Sequence, residues 1–341
     1  MKIKSKRRRK RINKKKPSIF QINKKYKLFI ILLLLIILLF VINYQYYNKK
    51  NKKVNININM KVCVCTLGKN ENKYIREFVQ HYKNYGIDKI YLYDNNNIDG
   101  EKFEDVINDY INNGFVEVLN WRGLKQPLYK IMNDCYQKNY NTYDFLVFYE
   151  IDEFIHLHNY TNIKNFLSLA KFNTCEIIHL NLISHTDNNK LYYENKPLAE
   201  RFPEKIPIKS IGNNLEIKFI LRGHIPNIHI DNVHRCNRIN KNCNGYGNSN
   251  KYNVIFSTEP DYKYYYIDHY YSKSTEEFIF KINNKCAAIY NTIEFVYNRL
   301  DKYFSENEIT LKKIEMIENG TGLNLSKYRK KYISHKNIIQ N

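Results

Sequence analysis

The chain has 341 residues, 43% hydrophobic with 31 Tyr and 18 Phe, enough for one large domain or two modest ones around a sizeable core. Its formal net charge of +22 is concentrated at one end: residues 1–27 hold 14 Lys or Arg and no acid, and Lys49, Lys50, Lys52 and Lys53 add four more. Without those 18 of the 55 basic residues, 37 remain against 33 acids, and a near-neutral remainder argues against a nucleic-acid partner for the folded part.

The basic tail, residues 1–27, runs into the unbroken apolar stretch Leu28–Ile42. Fifteen helical residues span about 22 Å, short of a bilayer core. Tyr26 before the run, and Tyr44, Tyr46 and Tyr47 after it, extend it as interfacial anchors, so residues 28–47 are expected to form a transmembrane helix. No small-x-small cleavage site follows, which favours a retained anchor over a cleaved signal. The larger positive block lies N-terminal, predicting a cytoplasmic N-terminus, a single-pass type II protein and a remainder on the far side of a Golgi or other secretory membrane. Residues 48–60 read as a stem, and 61–341 as the folded domain. The basic tail also suits acidic lipid headgroups.

From residue 61 the pattern alternates. Lys61–Leu67 and "DKIYLYD", ending at Asp94, read as strands, as do "FVEVLN" and "DFLVFY". Between them, apolar residues at helical spacing (Ile75, Phe78, Val79, Tyr82; then Phe103, Val106, Ile107, Tyr110, Ile111) predict helices stopped by Gly86 and Gly114, with a third over residues 126–140. Four strand–helix alternations predict a mostly parallel sheet with helices on both faces. Later, "TCEIIHLNLI" reads as another strand and 274–318 as helical. Cys63 and Cys65 share one face of the first strand and read as core; Cys236 and Cys243 bracket a polar loop and would allow a local disulfide in a lumen. No G-x-G-x-x-G or P-loop occurs.

In such sheets ligands bind beyond the carboxyl ends of the strands, where Thr66, Asp94 and the cluster Glu150, Asp152, Glu153 fall. If extended geometry continues past the fourth strand, Glu150 and Asp152 share a side and Glu153 turns away. Two adjacent carboxylates suit Mn²⁺ or Mg²⁺, which leave positions for water and phosphate. The alternative is a solvated strand end. Crowded like charges also imply that removing one would relieve repulsion when no metal is bound.

Four ordered blocks carry a resemblance. They are "TLGKNENKYIREFVQHYKNYGIDKIYLYDNNNIDG", "KQPLYKIMNDCYQKNYNTYDFLVFYEIDEFI", "IIHLNLISHTDNNKLYYENKPLAERFPE" and "IDHYYSKSTEEFIFK". Over roughly residues 62–282 the chain resembles glycosyltransferase family 92 and related enzymes of the GT-A nucleotide-diphospho-sugar transferase fold. The resemblance implies transfer of a sugar from a nucleotide-diphosphate donor, a UDP-sugar, to a glycan or glycoconjugate acceptor with inversion at the anomeric carbon. Where the family usually has D-x-D-E-F, this chain has Glu150-Ile-Asp152-Glu153-Phe154, so Asp152 is the safer metal ligand and Glu150 a further one.

The same resemblance brings in His269 as a late metal ligand, against the alternative of a buried hydrogen-bonded ring. Lys273 and Arg201 could face the diphosphate or be exposed, and Asp94 and Asn95 hold the base or form a turn. Thr66 stands at the first strand end, and Asn70 and Glu71 open the first helix, capping it or meeting the nucleotide. Inversion needs a base for the acceptor hydroxyl, with Asp187 the first candidate before Glu200 and Glu153, although Asp187 also suits a turn. A glycan-binding or scaffold protein that keeps the fold without turnover is the competing class.

Overall fold

The computed structural model describes residues 29–30, 33–41, 59–125, 128–206, 216–232, 234–249, 262–284 and 292–339. The chain divides into two compact units, residues 1–53 and 54–341. In the first, residues 29–30 and 33–41 are helical with exposed side chains. Among the described residues no helix is long and apolar enough to cross a membrane. The basic tail, the tyrosines flanking the apolar run and most of the stem lie outside the described residues.

The second unit opens with the predicted alternation. Strand β1 (Val62–Gly68) leads to helix α1 (Asn72–Asn84), β2 (Lys89–Asp94), α2 (Glu104–Asn112), β3 (Val116–Asn120), α3 (Leu128–Asn139) and β4 (Phe145–Phe148). These four strands pair in parallel in the order β3-β2-β1-β4. Helix α1 buries Ile75, Phe78, Val79 and Tyr82, the residues whose spacing predicted it. Gly68 ends β1 where a Cβ would meet the Phe103 ring at 2.3 Å, so only glycine lets α2 close on that strand end.

Past β4 the architecture departs from a parallel sheet. The chain turns and returns as β5 (Glu153–Leu157), followed by α4 (Ile163–Leu167), β6 (Ile177–Ser184), α5 (Leu198–Arg201) and β7 (Ile217–Arg222). Then come β8 (Ile230–Asn232), β9 (Arg235–Cys236), β10 (Asn242–Asn244), β11 (Tyr265–His269), α6 (Thr275–Asn283), α7 (Ile293–Glu306), α8 (Leu311–Thr321) and α9 (Ser326–Ile339). The large sheet continues from β4 as β7-β6-β11-β5, with β10 on β6. β7 is antiparallel to both its neighbours, and β5 is antiparallel to β11. Parallel pairing returns between β6 and its neighbours β11 and β10, so the expected parallel pattern is interrupted by β7 and by β5 rather than lost; the fold is mixed α/β.

Two disulfides tie loops of similar length, Cys65–Cys135 and Cys175–Cys243. The expected Cys236–Cys243 link is absent: Cys243 on β10 lies against β6 close to Cys175, while Cys236 and Cys63 are buried free thiols. Cys65 is not simply core; its side chain reaches α3. Helices α6 to α9 build a separate hydrophobic cluster around Phe278, Leu300, Tyr303, Ile314 and Tyr328. A buried polar network fastens it to the end of β6. Asp187 receives Lys313 Nζ at 2.7 Å and the Tyr303 hydroxyl at 2.7 Å, and its backbone N–H donates to Asn307 Oδ1 at 2.6 Å.

Candidate functional site

The apolar run of β4 ends at Phe148, and the backbone bends at once: the Glu153 N–H donates to the Glu150 carbonyl at 3.0 Å. That turn overrides the assumed alternation. Glu150 and Glu153 now converge on one partner, Lys218 of β7, whose Nζ donates to Glu150 Oε1 at 2.6 Å and stands 2.9 Å from Glu153 Oε1. Glu153 is not turned away as expected. Asp152 points elsewhere, to Lys281 at 3.0 Å and Lys273 at 3.3 Å, with His269 Nε2 3.8 Å from its Oδ1.

Burial makes these contacts decisive. Lys218, Asp152, Glu153, His269 and Lys273 are all buried, while the Glu150 side chain stays 47% exposed. Unpaired, each buried charge would be expensive, and the pairing sets the protonation. Burial pushes the Asp152 carboxyl up, but Lys281 and Lys273 outweigh it and hold it well below the usual carboxylate range. Lys218 lowers the Glu150 carboxyl. Glu153 is different: burial dominates, and despite Lys218 its carboxyl is pushed up to about 8. Burial lowers His269 to about 4, leaving a neutral imidazole.

All of these residues except Lys273 line a cavity of about 360 Å³ at the carboxyl end of the first half-sheet, a size ordinary for small-ligand sites; Lys273 lines an adjoining cavity that shares Lys69, Glu71, Tyr271 and Lys281 with it. Its other walls come from Lys69 and Glu71 after β1, Glu216 and Lys218 of the β7 segment, His234 between β8 and β9, and Phe295, Arg299 and Lys302 of α7. Glu71 has a carboxyl raised to about 7, chiefly by burial. Glu216 is paired with Lys302 at 3.2 Å; burial is the largest influence and raises its carboxyl, but Lys302, its hydrogen bond and the nearby imidazoles together lower it to about 2.

The remaining expected residues have other surroundings. Thr66 is buried, and its hydroxyl has no hydrogen-bond partner among the described residues. Asn70 is not the helix cap: it adopts a left-handed φ of 59°, and its N–H donates to Asn96 Oδ1 at 2.7 Å, while Glu71 precedes α1 without a capping side-chain bond. Asp94 accepts from Arg122 Nε at 2.7 Å and from the Asn96 N–H at 2.9 Å, and Asn95 donates to the Trp121 and Leu124 carbonyls, as a turn requires. Arg201 is buried on Glu277 at 2.8 Å and Glu200 is exposed beside Lys196. Asp187 is bound up in the Lys313 network. Neither Asp187, Glu200 nor Arg201 lines the cavity; of the expected bases, Glu153 does.

Lys218, Lys281, His234 and the α7 residues were missed from sequence. Lys281 had a trace in the "EEFIFK" block. Lys218 sits among apolar residues in "IKFILR", and nothing in that local pattern marks a site residue.

Residues 58–285 match the model of glycosyltransferase family 92. No curated protein matches the chain. Among solved structures, a mannosyltransferase from Pyrobaculum calidifontis in complex with GDP-Man and Mn²⁺ is 10% identical with a TM-score of 0.30, covering 41% of this chain and 42% of that one. Residues 1–349 of TarS from S. aureus, in complex with UDP-GlcNAc, are 14% identical with a TM-score of 0.35, covering 77% and 80%. Less than half of the mannosyltransferase is thus spanned, and both likenesses are too distant to bear on function. The sequence match extends over more than half of the chain, and the chain belongs to glycosyltransferase family 92.

Proposed function

We propose that the protein transfers a sugar from a nucleotide-diphosphate donor to a glycan or glycoconjugate acceptor, with inversion, in the cavity at the end of β4. Family membership supports the reaction class. The observation that carries the site is the division of the acid cluster: Asp152 meets Lys273, Lys281 and His269, whereas Glu150 and Glu153 meet Lys218. The Asp152 side gathers positive charge where a departing diphosphate would need it. Lys273 and Lys281 would bind and orient its phosphates.

Among the described residues no group of three or more His, Cys, Asp or Glu side chains is gathered to hold a metal ion. Two donors nonetheless fit one: the ionised Asp152 carboxylate and the neutral His269 imidazole, whose Nε2 lies beside Oδ1. A Mn²⁺ or Mg²⁺ ion can take the rest of its shell from water and phosphate, and once bound would stabilise charge on the leaving diphosphate. Glu150, with Lys218 already on it, is the weaker third donor.

A type II membrane anchor over residues 28–47 and a luminal domain belong to the same reading. The apolar run supports the anchor, and two disulfides suit an oxidising lumen. Calorimetric titration of UDP with Mn²⁺ into wild type and Asp152→Asn tests the site. Weaker binding by the variant is expected; equal binding would move the diphosphate elsewhere.

A further inference from the structure

Inversion requires a base for the acceptor hydroxyl, and most acids on the cavity walls are engaged: Asp152 by Lys281 and Glu150 by Lys218, while Glu71 is held in a buried position after β1. Glu153 is fully buried beneath Lys218, and Glu216 is occupied by Lys302. His234 is arranged differently. Its Nδ1 faces the Ile217 carbonyl of β7, so Nδ1 carries the proton and donates. That bond fixes both tautomer and ring orientation, and leaves Nε2 as the lone-pair nitrogen of a side chain lining the cavity. Among the described residues no hydrogen bond engages Nε2.

We infer that His234 is the general base of the transfer, its Nε2 taking the proton of the acceptor hydroxyl. The inference rests on the transferase reading above. The acceptor oxygen forms its bond to the anomeric carbon, and the bond from that carbon to the diphosphate oxygen breaks with its electron pair leaving on the nucleoside diphosphate. The hydroxyl proton passes to Nε2 and is later returned to water. His234 enters from the wall between β8 and β9, whereas the cations on Asp152 come from the segment after β11 and from α6. Base and leaving group are thus served by different segments of the chain.

The surroundings keep the ring neutral. Burial and then Lys218 lower its pKa, while Ile217, Glu216 and Glu150 oppose them, and His179 of β6 adjoins it. The rate should therefore fall on the acid side as the ring protonates.

His234→Asn is the informative variant, because the Asn amide can replace the Nδ1–H donor and has nothing in place of Nε2. Full-length wild type, His234→Asn and His234→Ala are given UDP-glucose, UDP-galactose, UDP-GlcNAc and GDP-mannose, with and without free hexose oligosaccharides, and nucleotide release is followed. The expected result is loss of acceptor-stimulated release by roughly 10²–10⁴-fold in both variants. UDP affinity should be unchanged, the acid limb of the pH profile should vanish, and added imidazole should partly rescue His234→Ala. Acceptor-stimulated release at the wild-type rate in His234→Asn overturns the inference, as does loss of UDP binding in parallel with rate, which would make His234 structural. Normal UDP binding by a wild type that releases nothing from any donor overturns the transferase reading and this inference with it.

Discussion

Lys218 is one buried ammonium serving two carboxyl groups, and it explains why three acids can follow an apolar strand. Asp152 has two lysines of its own. The cluster is compensated rather than repulsive, which reverses the expectation that removing a charge would relieve it. Asp152→Asn should instead lower stability, because Lys273 and Lys281 lose their shared partner. Glu306 of α7 makes a pH-dependent case. Burial raises its carboxyl to about 7 against the pull of Lys302, and one of its oxygens is buried without a partner among the described residues. A carboxyl raised on folding contributes its full stability below the unfolded value near 4.5, and that stability is lost as pH rises through 7. Glu306→Gln should therefore be more stable than wild type at pH 8, by roughly 1–3 kcal/mol, with the difference shrinking toward pH 5. Denaturant titrations at the two pH values check this; a pH-independent difference would contradict it.

Among the elements, β1 to β4 with their helices were legible because each carries its own period and stop signal. The second half was not. β7 joins the sheet antiparallel between β4 and β6, and such pairing depends on partners far away in sequence rather than on local pattern. Lys218 was hidden for that reason: its identity as a site residue exists only once β7 lies beside β4. The acid cluster was found, but its geometry was misread, because nothing in Glu150-Ile-Asp152 announces the turn that sends the two side chains to different partners. Asp187 shows the opposite error, a plausible loop acid whose partner, Lys313, lies 126 residues on. Its role predicts a structural phenotype. Asp187→Asn leaves Lys313, 1% exposed, without its counter-ion and should lower unfolding free energy by about 3–5 kcal/mol. Urea unfolding of the variant measures this, and an unchanged midpoint would return Asp187 to the list of candidate bases.

For the molecule as a whole, charge and fold separate. Residues 1–53 form one compact unit, and the family match starts at residue 58. A fragment spanning 60–341 should keep a cooperative thermal transition and its affinity for UDP; a lost transition would make the N-terminal unit part of the fold. Beyond the matched residues, α7 supplies Phe295, Arg299 and Lys302 to the cavity, so this helix completes a cavity whose other walls lie earlier in the chain. That dependence could not be read from the sequence, where the last sixty residues carry only helical periodicity.

The central claim, that Asp152 and its cations hold the diphosphate of a sugar nucleotide for transfer, is tested most directly by nucleotide release. Full-length wild type and Asp152→Asn are incubated with Mn²⁺, the four sugar nucleotides named above and free hexose oligosaccharides, and nucleoside diphosphate is measured against time. Wild type should release nucleotide from at least one donor, and Asp152→Asn should release it slower by roughly 10²-fold or more while remaining folded by near-UV circular dichroism. Equal release by both proteins, or none by a folded wild type, would contradict it.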